Sequence, residues 1–191
     1  MPLSVERRIR FVRAAFADGN VAAVTNSSKY VVTSVMRQLP APLTSVVEYG
    51  PGDGVATQAL LRRLPASGKL LAIESNPEFH RLLKKIKDPR LQVVLGNARD
   101  TAAIMRDHGF SKPDAVISSI PFSFLTDEER CHILRQTRDA LPAHGVFIVF
   151  HQYSRLALKP LRNYFDSVNI SFEVRNVFPC FTFCASNQSR F

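Results

Sequence analysis

Apolar and polar positions alternate along this chain in two periods. Val5, Ile9, Val12 and Phe16 recur at helical spacing, with Arg8 and Arg13 flanking the stripe and Asp18-Gly19-Asn20 ending it. Ser27-Ser28 can cap a second helix over Lys29–Leu39, with Val32, Val35, Met36 and Leu39 on one side and Pro40 and Pro42 as its stop. Short apolar runs then alternate with helical segments. The runs are Ser45–Tyr49, Lys69–Glu74, Gln92–Leu95, Ala115–Ser118 and Val146–Phe150. The intervening helices are predicted over Val55–Leu64, Pro77–Ile86, Thr101–Arg106 and, opened by a Thr126/Glu129 capping box, up to Ala140. Runs that are apolar throughout and separated by helices predict a parallel sheet covered on both faces. Ile170–Val177 and Cys180–Ala185 read differently, as a hairpin joined through Phe178-Pro179. The expected fold is therefore α/β, Rossmann-like: a mostly parallel seven-stranded sheet closed by a C-terminal antiparallel hairpin. Residues 1–40 form an N-terminal helical segment and 41–191 the main domain.

The first strand ends in Glu48-Tyr49-Gly50-Pro51-Gly52-Asp53-Gly54 and the second in Glu74. Glycines let a backbone turn sharply off a strand and approach a ligand, and an acid at the next strand tip can grip both ribose hydroxyls. A dinucleotide loop would read G-x-G-x-x-G and aim a helix N-terminus at a pyrophosphate. Here the third glycine comes one residue early, Val55 stands where it would be needed, and Glu48 would repel a phosphate. The loop suits a cation-bearing ligand with an adenosyl group, namely S-adenosylmethionine, with S-adenosylhomocysteine as product. Ligands of open α/β sheets bind beyond the carboxyl ends of the strands. That places Glu48, Gly50, Pro51, Gly52, Gly54, Glu74, Ser75, Asn97, Ala98 and Ser118 around the cofactor. Ser119, Pro121 and Phe122 would border the transferred methyl, with Phe122 facing a cationic amine, stacking on a base or filling core. His151 and Tyr153, after the fifth strand, could assist proton removal.

Composition narrows the setting. The chain has 191 residues, 46% hydrophobic and 21% charged, which suits one soluble globular domain. No apolar run approaches the roughly 18 residues of a membrane span, and the arginine-rich start lacks a signal peptide's apolar segment, so a cytoplasmic protein is expected. Cys131, Cys180 and Cys184 cannot all pair, and His80, His108, His132, His144 and His151 show no metal-ligand spacing, so no metal is expected. The net charge of +9 favours an anionic partner, nucleic acid or an acidic membrane. The N-terminal basic helix could lie on such a membrane or pack on the domain.

Together these motifs resemble the bacterial phospholipid N-methyltransferases, relatives of the rRNA adenine dimethylases within the class I methyltransferases. Val21–Ser28 is similar to the family's Gly-Ala-Val-x-Pro-Ser-Ser segment, with Asn26 for proline. Glu48–Gly54 matches E-x-G-P-G-T-G, with Asp53 for threonine, and Ser118-Ser119-Ile120-Pro121 is similar to Ser-Gly-Leu-Pro. Gln152-Tyr153 and Arg175–Pro179 look like the family tail. The resemblance implies methylation of the head-group amine of phosphatidylethanolamine or ornithine lipid by a monomer held peripherally on the inner face of the cytoplasmic membrane. Two rivals stand beside it. An adenine-N6 methyltransferase of nucleic acid would share the Pro121-Phe122 end of the strand-four motif but needs Asn or Asp where Ser119 stands, and the rRNA dimethylases carry a further helical domain. A non-catalytic binding module would keep the fold alone.

Overall fold

The computed structural model describes residues 28–152, 155–175 and 179–188. The expected Val5–Phe16 helix, most of the Val21–Ser28 segment, Tyr153 and residues 176–178 of the tail lie outside them, as do the side chains of His151 and Gln152. The element order is α1 (Lys29–Gln38), β1 (Ser45–Tyr49), α2 (Val55–Arg63), β2 (Lys69–Glu74), α3 (Pro77–Leu83), β3 (Leu91–Leu95), α4 (Thr101–Asp107), β4 (Ala115–Ser118), α5 (Asp127–Ala140), β5 (Val146–Gln152), α6 (Leu158–Tyr164), β6 (Ser167–Glu173) and β7 (Cys180–Ser186). Short 3-10 turns at Ala98–Asp100 and Phe122–Phe124 precede α4 and α5.

The strands form one sheet in the order β3-β2-β1-β4-β5-β7-β6. β1 to β5 are parallel, and β7 runs antiparallel to both β5 and β6. This is the mostly parallel seven-stranded α/β sheet that the sequence predicts. Alternate residues of β1 face opposite layers, as strand geometry requires. Val47 and Tyr49 join a core with Met105 of α4, Ile133 and Leu134 of α5 and Leu161 of α6. Val46 joins the other, with Val31 and Val35 of α1 and Ala56 and Leu60 of α2. All five β1 residues are buried, which is why the run carries no alternating pattern. Tyr49 resolves its buried hydroxyl between Thr137 Oγ1 (3.2 Å) and the donating Thr101 Oγ1 (3.0 Å).

Local signals set most boundaries. Ser28 Oγ accepts from Val31 N at the start of α1, and Asn76 caps α3 ahead of Pro77. The Thr126/Glu129 capping box forms and opens α5. Three elements depart most from expectation. α3 stops at Leu83 rather than Ile86, because Lys85 N and Ile86 N close tighter turns on Leu82 O and Leu83 O. α6 is an added helix: Pro160 sits in its first turn, where a missing N–H costs nothing because that donor has no intrahelical acceptor. β6 begins at Ser167 rather than Ile170, since pairing with Ser186 and Ala185 recruits the polar residues before the apolar run. Cys180 and Cys184 are buried in β7, whereas Cys131 is exposed on α5.

Candidate active site

The strand order reverses between β1 and β4, and open α/β sheets bind ligands beyond the carboxyl ends of the strands at such a switch point. The glycine loop leaves β1 at this point. Gly50 N donates to Ile73 O at 2.9 Å, and Gly54 N closes a turn on Pro51 O at 3.0 Å. Gly50, Gly52 and Gly54 all have positive φ (64°, 56° and 80°), a region that L side chains avoid. Their missing side chains serve different ends. A Cβ on Gly54 would lie 3.0 Å from Leu83 Cδ2, so this glycine lets α2 pack closely. A Cβ on Gly52 would meet no atom within 4 Å, so the space beside that backbone is open to a ligand.

Three carboxyl groups surround this loop. Glu74 is buried at the end of β2 and accepts from Gly52 N through Oε2 (2.9 Å) and from Asn76 N through Oε1 (2.8 Å). Each oxygen keeps a second lone pair for a further donor. Burial raises its pKa, and the backbone N–H groups pull it back. Glu48 lies on the α1/α2 side of β1, 1% exposed, and accepts from Thr57 Oγ1 at 2.7 Å. Burial pushes its pKa up to about 8, against the Thr57 hydrogen bond and with a contribution from the Glu74 and Asp53 charges. Asp53 accepts from Val55 N through Oδ1 (3.3 Å), while its buried Oδ2 has no donor. Its pKa is raised by burial as well. None of the three forms an ion pair with lysine or arginine among the described residues. Such a set favours a ligand that brings positive charge and hydrogen-bond donors. Asp53 is absent from the site read in the sequence. The one available signal was its departure from the family's threonine.

The remaining predicted residues distribute along the same edge. Ser75 is exposed after Glu74, and Ala98 is buried. Asn97 is exposed, and its Oδ1 accepts from Arg99 N (3.0 Å), capping the turn after β3. Pro51 is buried within the loop. Ser118 Oγ accepts from Ile120 N at 3.3 Å. Ser119 Oγ donates to Gly50 O, tying the loop beyond β4 to the glycine loop. Pro121 is partly exposed beside them. Phe122 is the exception: its ring is 1% exposed and part of the hydrophobic core, so it does not present a face to an amine or a base. Its backbone carbonyl instead accepts from Arg130 Nη1 at 2.9 Å. His151 lies in the β5 strand. Among the described residues no group of three His, Cys, Asp or Glu could hold a metal ion.

No protein-family model matches the chain. It is 27% identical over 162 residues to ornithine lipid N-methyltransferase from Singulisphaera acidiphila, a likeness covering 83% of this chain and 84% of that protein. Human methyltransferase-like protein 13, solved in complex with SAH, superposes with a TM-score of 0.63 at 15% identity, over 83% of this chain and 82% of that one. The chain has the class I methyltransferase fold. Spermidine synthase from Thermotoga maritima also superposes, with a TM-score of 0.61 at 16% identity over 78% of this chain. The chain spans 55% of that protein's length. Likeness of fold alone does not set the reaction, which depends on the residues at the strand ends.

Proposed function

We propose that the protein is an S-adenosylmethionine-dependent N-methyltransferase whose acceptor is the head-group amine of a phospholipid or aminolipid, taken at a membrane surface. The observation that carries the reading of the acceptor is the 27% identity, over 83% of this chain, to an ornithine lipid N-methyltransferase. Support for the donor comes from the loop itself. The open side of Gly52, the donorless Asp53 Oδ2 and the uncompensated carboxyls fit a cationic adenosyl ligand. Glu48, Gly50, Pro51, Gly52, Gly54, Glu74, Ser75, Asn97, Ala98 and Ser118 would hold it. When bound, S-adenosylmethionine supplies a methyl group already activated by its positive sulfur.

The protein's own work is then alignment and exclusion of water. The Ser119–Gly50 hydrogen bond holds the loop after β4 against the donor loop, and Ile120 packs on Gly50. Pro121 limits the backbone there, and Arg130 fixes the Phe122 carbonyl from the first turn of α5. The attacking amine must be unprotonated, and His151 and Tyr153 are the side chains assigned to draw off its proton. No helix among the described residues is long and apolar enough to cross a membrane.

The test is incubation with methyl-labelled S-adenosylmethionine and either vesicles of phosphatidylethanolamine or ornithine lipid, or total RNA. Label is expected in the lipid amine. Label in adenine of RNA, with none in lipid, would replace this reading with the nucleic-acid one.

A further inference from the structure

An open hollow of about 540 Å³ is lined by Asp127 and Arg130 of α5, by Arg155 and Leu156 just before α6, and by Lys159 and Pro160 of its first turn. Three of those six residues are cations and one is an acid. The acid, Asp127, is already paired with Arg130. Arg130 in turn donates to the Phe122 carbonyl, so the cavity wall is bonded directly to the loop that borders the methyl-transfer crevice. Arg155 stacks over the Phe181 ring at 5.4 Å, and neither Arg155 nor Lys159 has a carboxylate partner among the described residues. The cavity therefore carries an uncompensated positive charge at the acceptor end of the site.

Apolar surface adjoins it. Leu156, in the cavity wall, is 56% exposed. Phe172 of β6 is 53% exposed and its ring pairs with that of Phe181 at 4.7 Å, the ring on which Arg155 stacks. Val174, two residues on, is 63% exposed. Cations with unpartnered charge beside exposed aliphatic and aromatic side chains match a molecule that is anionic at one point and apolar next to it.

We infer that this cavity is a subsite for the oxyanion of the acceptor lipid, with Arg155 and Lys159 as its ligands and Leu156, Phe172 and Val174 against the acyl region. The inference rests on the lipid-amine reading and deepens it. In phosphatidylethanolamine the oxyanion is a phosphodiester, and in ornithine lipid a carboxylate; in both, a short carbon linker separates it from the amine to be methylated. The Arg130–Phe122 hydrogen bond links this subsite to the loop that carries Ser119 and Pro121. Arg130 is a positioning residue, since its Nη1 and Nη2 are engaged by the Phe122 carbonyl and Asp127 and its remaining Nε is buried.

The experiment compares the full chain with an Arg155→Gln/Lys159→Gln variant. In mixed micelles, the apparent KM for the lipid is expected to rise about tenfold, the order of losing one or two charge-assisted contacts. The kcat at saturating lipid should fall less than threefold, and the cofactor Kd by calorimetry should not move. Arg155→Lys/Lys159→Arg, which keeps both charges, should show a clearly smaller rise in KM than the glutamine variant. Running phosphatidylethanolamine and ornithine lipid in parallel tells the two oxyanions apart, because the natural one suffers the larger KM change. An unchanged KM in the glutamine variant overturns the subsite. Should the wild type methylate no lipid at all, the lipid reading fails, and the subsite is still read by NMR titration with sn-glycerol 3-phosphate. Saturable shifts at Arg155 and Lys159, lost in the glutamine variant, uphold an oxyanion site, and their absence overturns it.

Discussion

The two ends of the proposed site are built on opposite electrostatic plans. The donor end, from β1 to β3, gathers Glu48, Asp53 and Glu74, each with a raised pKa and none paired to an arginine or lysine among the described residues. The acceptor end, from β4 to the hairpin, presents Arg130, Arg155 and Lys159 beside exposed Leu156 and Phe172. On the reading proposed above, a cationic donor and an anionic acceptor head group would each be drawn to one end and disfavoured at the other. The plans also differ in construction. Donor residues lie close together along the chain, Glu74 and Asp53 held by backbone N–H groups and Glu48 by the Thr57 hydroxyl. Acceptor residues come from α5, α6 and β6, which only the tertiary fold brings together.

Variants at each end separate the two plans. The largest effect is expected from Glu74→Ala. It removes the group that accepts from both Gly52 N and Asn76 N, so the donor loop loses its anchor as well as a ligand contact. Cofactor affinity should fall by about 3 kcal/mol, more than a hundredfold, by calorimetry, while lipid KM at saturating cofactor stays near wild type. Equal losses at both ends would mean that the plans are one.

Next comes pH. Glu48 titrates near 8 rather than at an ordinary 4.5, so the empty site holds it protonated at neutral pH. A bound cation favours the ionised form, so binding releases a proton and the cofactor affinity rises with pH, by up to about tenfold per unit below 8. The sign for stability is opposite. A folded pKa above the unfolded one stabilises the ligand-free chain below about pH 4.5, and that contribution is lost as pH climbs through 8. Glu48→Gln should flatten both profiles, and a wild-type cofactor Kd that is flat between pH 6 and 8 would refute the linkage.

The smallest effect probes the acceptor end. Thr126→Ala dismantles the capping box that starts α5 and orients Arg130, at a cost of about 1 kcal/mol in unfolding free energy. Lipid KM should rise a few-fold with cofactor Kd unchanged, as denaturant titration and steady-state rates together would show.

The same contrast explains what could be read from the chain. β1, β2 and β4 match their predicted limits because each apolar run is bounded by a glycine, a proline or a capping residue. The donor loop was legible for a similar reason: its function depends on backbone angles that only glycine provides, and glycines are visible in a sequence. Glu48 was legible in identity but not in environment, since nothing in the run Val46–Tyr49 reveals that Thr57 will meet it one turn into α2. Phe122 was ambiguous between core and site until packing placed its ring in the core. α6 was hidden by Pro160, and with it the pairing of Arg155 and Lys159 against Arg130, whose sequence separation carries no periodic signal.

The distribution of thiols gives the chain an internal gauge of its own integrity. Cys131 stands exposed on α5, while Cys180 and Cys184 are sealed inside β7, between β5 and β6. A maleimide reagent should therefore modify a single position on the native molecule and reach the other two only when the hairpin side of the sheet opens. The same asymmetry offers a unique attachment point for a fluorophore on the helix that carries Arg130, with no cysteine to be engineered away.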